Sequence, residues 1–306
     1  MRRLARALWA GWLACVVVVA VHAVYADEAG DAPAYERIVS LSPVLTQVVV
    51  DLGLGDRLVG VAEYDNVRPD LPIAGSFGEA DAERVLTLSP DVVLVTGLGG
   101  EPKASVVAAA ERVDADVFAW ELPMRLAMIE TTVFNDDEPA GVSQALGVPG
   151  AGRALRESWS AELDELAASA ADEVAGRRVL LLLDSNPASA LGPGSPFVEL
   201  VERLGAQSAS PLATAWGVLD AERLMLAEPD VVLLLRPGDA PLSGDGDGRV
   251  APLADVWAGR GVRVALIDHP LGLLPSTALP EVAEAMVEAI AGRRGVVLGA
   301  DEGAEP

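Results

Sequence analysis

The sequence predicts an α/β protein made of two similar lobes, each a parallel-type sheet flanked by helices, joined by one long α-helix. Three observations predict it. DAERVLTLSPDVVLV, from Asp81, and DAERLMLAEPDVVLL, from Asp220, match at nine of fifteen positions. Such a repeat marks equivalent units of a duplicated architecture. In both halves apolar runs of strand length alternate with helical patterns, as in parallel sheets with helical crossovers. Between the halves a proline-free stretch, 151–176, carries Leu155, Trp159, Leu163, Leu166, Ala170 and Val174 at helical spacing.

The first 26 residues have Arg2, Arg3 and Arg6, an apolar run, and Val24-Tyr25-Ala26, a small-x-small cleavage pattern. They are expected to be a signal peptide that leaves a chain starting at Asp27. An uncleaved membrane anchor is the alternative, because the run approaches the roughly 20 residues that span a bilayer. A leader, 27–35, precedes the N-terminal lobe, 36–150. There ERIVSLSP reads as a buried strand ending at Ser40 to Pro43, and LTQVVVDLGLG as a helix closed by Gly53. RLVGVA is a second strand running into the loop EYDNVRPDLP. The repeat supplies a short helix, a proline stop, a strand and the Gly97 to Gly100 loop, and ASVVAAAERVDADVFAW a further helix and strand. TTVFNDDEP reads as loop.

The linker helix, 151–176, stops at Gly176 and presents an apolar stripe to both lobes. In the C-terminal lobe, 177–292, RRVLLLLDSNP replays ERIVSLSP and SPFVELVERLGA replays LTQVVVDLGLG. The repeat follows again, then the strand VRVALIDHP. An acidic tail, 293–306, closes the chain.

Composition narrows the function. Removing the first 26 residues takes the formal charge from −24 to −27 and removes Cys15, the only cysteine. Disulfides, thiolate metal sites and cysteine nucleophiles are excluded from such a chain. So acidic a surface repels phosphates, which argues against nucleic-acid partners. His269 is the only histidine after residue 26, so a three-histidine metal site is excluded. GPGSPF lacks both the Gly-x-Ser-x-Gly order and the Gly-Lys-Ser/Thr ending, so neither a nucleophile elbow nor a phosphate loop is present.

RIVSLSP, LVGV.EY, ERVLTLSPDVVLV, GPGSPF, ERLMLAEPDVVLL and IDHP, in this order and spacing, resemble the periplasmic substrate-binding proteins of vitamin B12, iron-siderophore and haem ABC importers. The resemblance covers about Glu36 to Gly292. It implies that the two lobes and the linking helix hold a ligand in a cleft and deliver it to a permease dimer. It further implies that Glu83 and Glu222, one in each copy of the repeat, dock on arginine pockets of the two permease subunits. Their chemistry suits either role: a carboxylate in the first helical turn binds Arg well, and it also complements the helix dipole behind the N-caps Asp81 and Asp220.

Ligands of open α/β sheets bind beyond the carboxyl ends of the strands. That rule selects Ser42, Tyr64, Phe77 and Gly97 in one lobe, and Asn186, Gly194, Ser195, Trp216, Arg236 and His269 in the other. Tyr64, Phe77 and Trp216 read as loop aromatics suited to a flat ligand, whereas Trp159 lies on the linker stripe and reads as packing. His269 or Tyr64 is a chemically apt axial ligand to a bound metal chelate, although a loop histidine hydrogen-bonded to backbone is the commoner arrangement. Family members often place Pro-Arg after the last loop to grip anionic siderophores, and PSTALP has no Arg. The expectation is therefore an exported, monomeric periplasmic receptor for a corrinoid or related metal chelate, without catalysis or a resident cofactor. A haem or ferric-siderophore receptor is the alternative within the class. An extracytoplasmic hydrolase and a membrane-anchored sensor are the alternatives outside it.

Overall fold

The computed structural model describes residues 34–135, 140–185, 188–237, 257, 260–269 and 272–293. The expected signal peptide, most of the leader, Asn186 and the acidic tail beyond Arg293 lie outside the described residues.

Two six-stranded sheets form, one in each half of the chain. The first has the order β4-β3-β2-β1-β5-β6, with β1 at Ile38–Ser40, β2 at Leu58–Ala62, β3 at Ile73–Ser76, β4 at Glu79–Ala80, β5 at Val92–Gly97 and β6 at Asp116–Glu121. All its pairings are parallel except β3 with β4. The second sheet has the order β10-β8-β7-β11-β12, with β7 at Arg178–Ser185, β8 at Ala188–Leu191, β10 at Trp216–Leu219, β11 at Val231–Pro237 and β12 at Arg263–His269. β9, Gln207–Ser208, pairs in parallel with the start of β7. β8 runs antiparallel to both β7 and β10, so this sheet carries an antiparallel ribbon that the strand-helix alternation does not predict.

The helices cover the sheets as the apolar periods require. They are α1 (Pro43–Asp51), α2 (Ala82–Leu88), α3 (Ala104–Glu111), α4 (Leu126–Phe134), α5 (Val142–Ala145), α6 (Pro149–Val174), α7 (Pro196–Arg203), α8 (Ala221–Leu226) and α9 (Leu279–Ala291). α1 and α7 each start on a proline that follows an extended serine, Ser42 or Ser195, and each stops at a glycine with positive φ, Gly53 (77°) or Gly205 (93°). α4 corrects the loop expected over 131–139: Thr131 to Phe134 continue a helix that begins at Leu126.

The repeat is an architectural unit down to its hydrogen bonds. Asp81 caps α2 and Asp220 caps α8. Each helix ends in a non-glycine residue at φ 43°, Ser89 or Glu228, followed by Pro-Asp. Asp91 Oδ2 accepts from the backbone N–H of Arg37 at 2.9 Å, and Asp230 Oδ2 accepts from that of Arg178 at 2.8 Å. Both arginines return the contact: Arg37 donates to Leu88 and Ser89 carbonyls, Arg178 to Ala227 and Glu228 carbonyls. The same clasp thus fastens each repeat to the first strand of its own lobe. It gives the left-handed turn its hydrogen-bonding partners, which offsets a backbone cost of about 1–3 kcal/mol.

The linker helix α6 has 26 residues, about 39 Å of rise. Trp159, Leu163, Ala170 and Val174 are buried, with Leu155 and Leu166 packed alongside, as the stripe predicts. They join one continuous apolar cluster that also holds Ile38, Leu45 and Val92 of the first lobe and Leu181, Leu200 and Leu233 of the second. At roughly 1.5–3 kcal/mol per buried large apolar side chain, this shared core couples the lobes far more strongly than any surface contact.

A polar contact crosses the lobes where α1 meets the segment ahead of α9. Thr277, ahead of α9, donates to Asp51 Oδ2 at the end of α1, and Gln47 Nε2 donates to Asp51 Oδ1 at 2.8 Å. Burial raises the Asp51 pKa above 3.8, the Thr277 and Gln47 hydrogen bonds pull it partly back, and the charges of Glu281 and Glu162 push it up. The folded chain therefore holds this proton more tightly than the unfolded chain. Its contribution to stability is full below the unfolded pKa and is lost as pH rises through the folded value. Asp51→Asn, neutral throughout, removes that loss: its melting temperature relative to wild type should climb as pH rises through and above the ordinary carboxylate range. Thermal melts across that range decide, and a pH-independent difference would contradict the assignment.

Candidate functional site

In the first lobe the carboxyl ends of β1 and β5 are tied together by buried polar side chains. Thr96 Oγ1 donates to Ser42 Oγ at 3.1 Å, and Ser40 Oγ donates to the Ser42 carbonyl at 3.0 Å. Thr46 Oγ1 donates to Asp65 Oδ2 at 2.7 Å and lies 2.9 Å from Ser40 Oγ. Asp65 Oδ1 accepts from the backbone N–H groups of Val67 and Arg68. A buried carboxylate needs this many donors, and their supply pins the loop after β2 to α1. Ser42 is thus fully buried and supports the rim from beneath.

The pinned loop presents Tyr64. Its φ is 64°, a left-handed value that disfavours residues with a Cβ, and its side chain is 85% exposed. Packing does not account for an exposed aromatic residue held in a strained conformation. Phe77, 47% exposed, occupies the turn between β3 and β4, and the next residue, Gly78 (φ 71°), donates its N–H to the Leu41 carbonyl at 3.0 Å. That bond fixes the turn against the segment that follows β1. At Gly97 a Cβ would lie 2.0 Å from the Glu101 carbonyl oxygen, so only glycine admits this close fold-back of the loop.

In the second lobe Gly194 and Ser195 follow the antiparallel strand β8 and so lie alongside the sheet rather than beyond its carboxyl edge. Trp216, expected in a loop, opens strand β10 in register with Leu191 and is 56% exposed. The segment before it packs on the glycine turn: Gly192 N–H donates to the Ala215 carbonyl at 2.9 Å, and a Cβ at Gly192 would meet the Thr214 carbonyl oxygen. Trp216, Gly194 and Ser195 are therefore neighbours. Ser195 is buried, and its hydroxyl has no hydrogen-bond partner among the described residues.

Arg236, next to the last residue of β11, pairs with Asp268, and His269, the last residue of β12, pairs with Pro237, so both lie at the carboxyl edge of the sheet but on opposite faces of it. Arg236 is buried. His269 Nε2 lies 3.3 Å from Glu281 Oε2 on α9. Among the described residues no group of three or more His, Cys, Asp or Glu side chains is arranged to hold a metal ion. Glu83 and Glu222 are exposed in the first turns of α2 and α8, in equivalent places on the two lobes.

Sequence reasoning missed two residues that shape this site. Asp65 organises the Tyr64 loop, and a lone Asp among loop polars carries no distinguishing pattern. Glu199, in the first turn of α7, reaches the other lobe with both oxygens: Oε1 accepts from Arg125 Nε at 3.0 Å and Oε2 from Leu126 N–H at 2.8 Å. This bridge brings the start of α4, just past the end of β6, against the start of α7, where Gly194 and Ser195 lie. It fixes which surfaces of the two lobes face one another.

The chain matches the profile described as "Periplasmic binding protein" over residues 38–245. The vitamin B12-binding protein of Vibrio cholerae serotype O1 is 37% identical over 71 residues, and that of Yersinia pestis 39% over 75. These matches cover 22% and 24% of this chain and 26% of each relative, so the chain aligns with about a quarter of their length. Among solved structures, the periplasmic haem-binding protein RhuT from Roseiflexus sp. RS-1 is similar with a TM-score of 0.64 at 26% identity, covering 84% of this chain and 98% of that one. The vitamin B12-binding protein BtuF of Vibrio cholerae gives 0.59 at 20% identity, covering 85% and 99%, a likeness of fold. With the profile spanning more than half of its residues and the two-lobed architecture in agreement, the chain belongs to the periplasmic binding protein family.

Proposed function

We propose that this chain is an exported receptor of an ABC importer that captures a corrinoid, or a related metal chelate, between its lobes and passes it to a permease dimer. The first 26 residues leave as a signal peptide, and no bond is made or broken. The observation that carries the ligand class is the set of exposed rings, Tyr64, Phe77 and Trp216, on chain segments held tight by glycines and buried polar groups. Aromatic faces of about 150–250 Å² each suit a flat macrocycle, and rigid mounting lowers the entropy lost on binding. Gly97, Arg236 and His269 complete the proposed lining, with Ser42 beneath it and Gly194 and Ser195 beside Trp216.

The charge of the site favours a ligand without many carboxylates. Arg68 is held by both oxygens of Asp70 and by the Gly55 carbonyl, and Arg125 by Glu199. Both guanidiniums are thereby engaged by carboxylates before any anionic ligand arrives. The vitamin B12-binding relatives point the same way. A haem receptor is the second reading, supported by the likeness to RhuT and by the exposed Tyr64 phenol.

Calorimetry and thermal shift with cyanocobalamin, cobinamide, haemin and ferric siderophores test the ligand class. A corrinoid should give saturable stabilisation by mass action. Stabilisation by haemin alone would transfer the assignment to haem. Trp216→Ala should weaken corrinoid binding by about tenfold. Tyr64→Gly should weaken it similarly while leaving stability unchanged or raised, because glycine relieves about 1 kcal/mol of left-handed strain. Reversing both docking charges, Glu83→Arg with Glu222→Arg, should abolish uptake in cells or vesicles and leave ligand affinity intact. An equal fall in affinity would show that these residues serve the lobes rather than the permease.

A further inference from the structure

We propose that Glu199 sets the charge of the ligand that the cleft accepts, by holding the Arg125 guanidinium in an ion pair that an anionic ligand would otherwise take up. This deepens, and rests on, the macrocycle-receptor reading above. Arg125 lies at the start of α4 with its side chain 63% exposed, whereas Glu199 is only 24% exposed. The arginine is thus reachable from solvent at the junction of the lobes, while its partner is anchored. Glu199 is anchored because its second oxygen accepts from Leu126 N–H, supplying the N-terminal cap that Arg125 itself does not give α4. The geometry makes the carboxylate a fixed fixture of the second lobe's helix α7 and leaves the guanidinium to be recruited or withheld.

Charge complementarity across a binding surface governs selectivity more than affinity. With Glu199 ionised, the Arg125–Glu199 unit is neutral, and a carboxylate on the ligand meets competition for the guanidinium and repulsion from Glu199. A neutral macrocycle meets neither. In Glu199→Gln the amide oxygen still accepts from Leu126 N–H, so the cap persists while the charge is lost. In Glu199→Ala both are lost.

The test compares cyanocobalamin, which has amide side arms, with its monocarboxylic derivative, using calorimetry on wild type, E199Q, E199A, R125A and the E199Q/R125A pair. Wild type should prefer the neutral corrinoid. E199Q should gain about three- to fivefold for the carboxylate form, with little change for the neutral one, the scale of a partly exposed ion pair. The gain should vanish at about 0.5 M salt and in the double variant. Hydrogen exchange at Leu126 to Met128 should quicken in E199A and not in E199Q. If E199Q binds cyanocobalamin but shows no shift toward the carboxylate form, Glu199 does not set ligand charge. If no variant binds either corrinoid, the corrinoid assignment falls instead, and the same comparison with haemin against its dimethyl ester then upholds or overturns the role of Glu199.

Discussion

The structure depends on the burial of one face of α6. Trp159, Leu163, Ala170 and Val174 do not belong to either lobe alone; they complete an apolar cluster that begins under the first sheet and ends under the second. A helix buried along its length cannot bend without losing intrahelical hydrogen bonds and core contacts together, so the lobes keep nearly fixed orientations. On the proposed reading, such a protein would bind its ligand with little rearrangement of the lobes. Wide closure, which needs a hinge able to absorb large backbone rotations, is not available to it.

The duplication explains how two such lobes arose from one pattern and how far the pattern constrains them. Asp91 with Arg37 and Asp230 with Arg178 make the same clasp, and Ser89 and Glu228 hold the same left-handed turn. What differs is the edge of each sheet. The first lobe turns back through the short β3–β4 hairpin and sets Phe77 in its turn. The second inserts the antiparallel β8 and β10 and sets Trp216 at the head of a strand. Divergence at the edges over shared centres is how one scaffold can carry different surfaces.

The centre of the fold was therefore legible, and the edges were not. Buried parallel strands read as continuous apolar runs, α6 as a stripe, and the repeat as a unit, because each is written in local periodicity. β8, with only Ala-Ser-Ala-Leu, has no period to read. α4 was hidden for a more specific reason: the residue before it, Arg125, is no capping residue, and the carboxylate that accepts from Leu126 N–H comes from Glu199, 73 positions on. In the site, Tyr64, Phe77 and Trp216 were recognisable as aromatics off the apolar stripes. The strain at Tyr64 and the donors gathered by Asp65 are tertiary facts with no sequence signature.

On the proposed reading, the shared core, the exposed rings and the arginines engaged by carboxylates suit a bulky, weakly charged guest. A crystal structure grown with cyanocobalamin tests this most directly. The account predicts the corrin between the lobes, with Tyr64, Phe77 and Trp216 within about 4 Å of it and α6 unbroken. A ligand seated on an outer face, or lobes swung apart about a bend in 155–174, would contradict it.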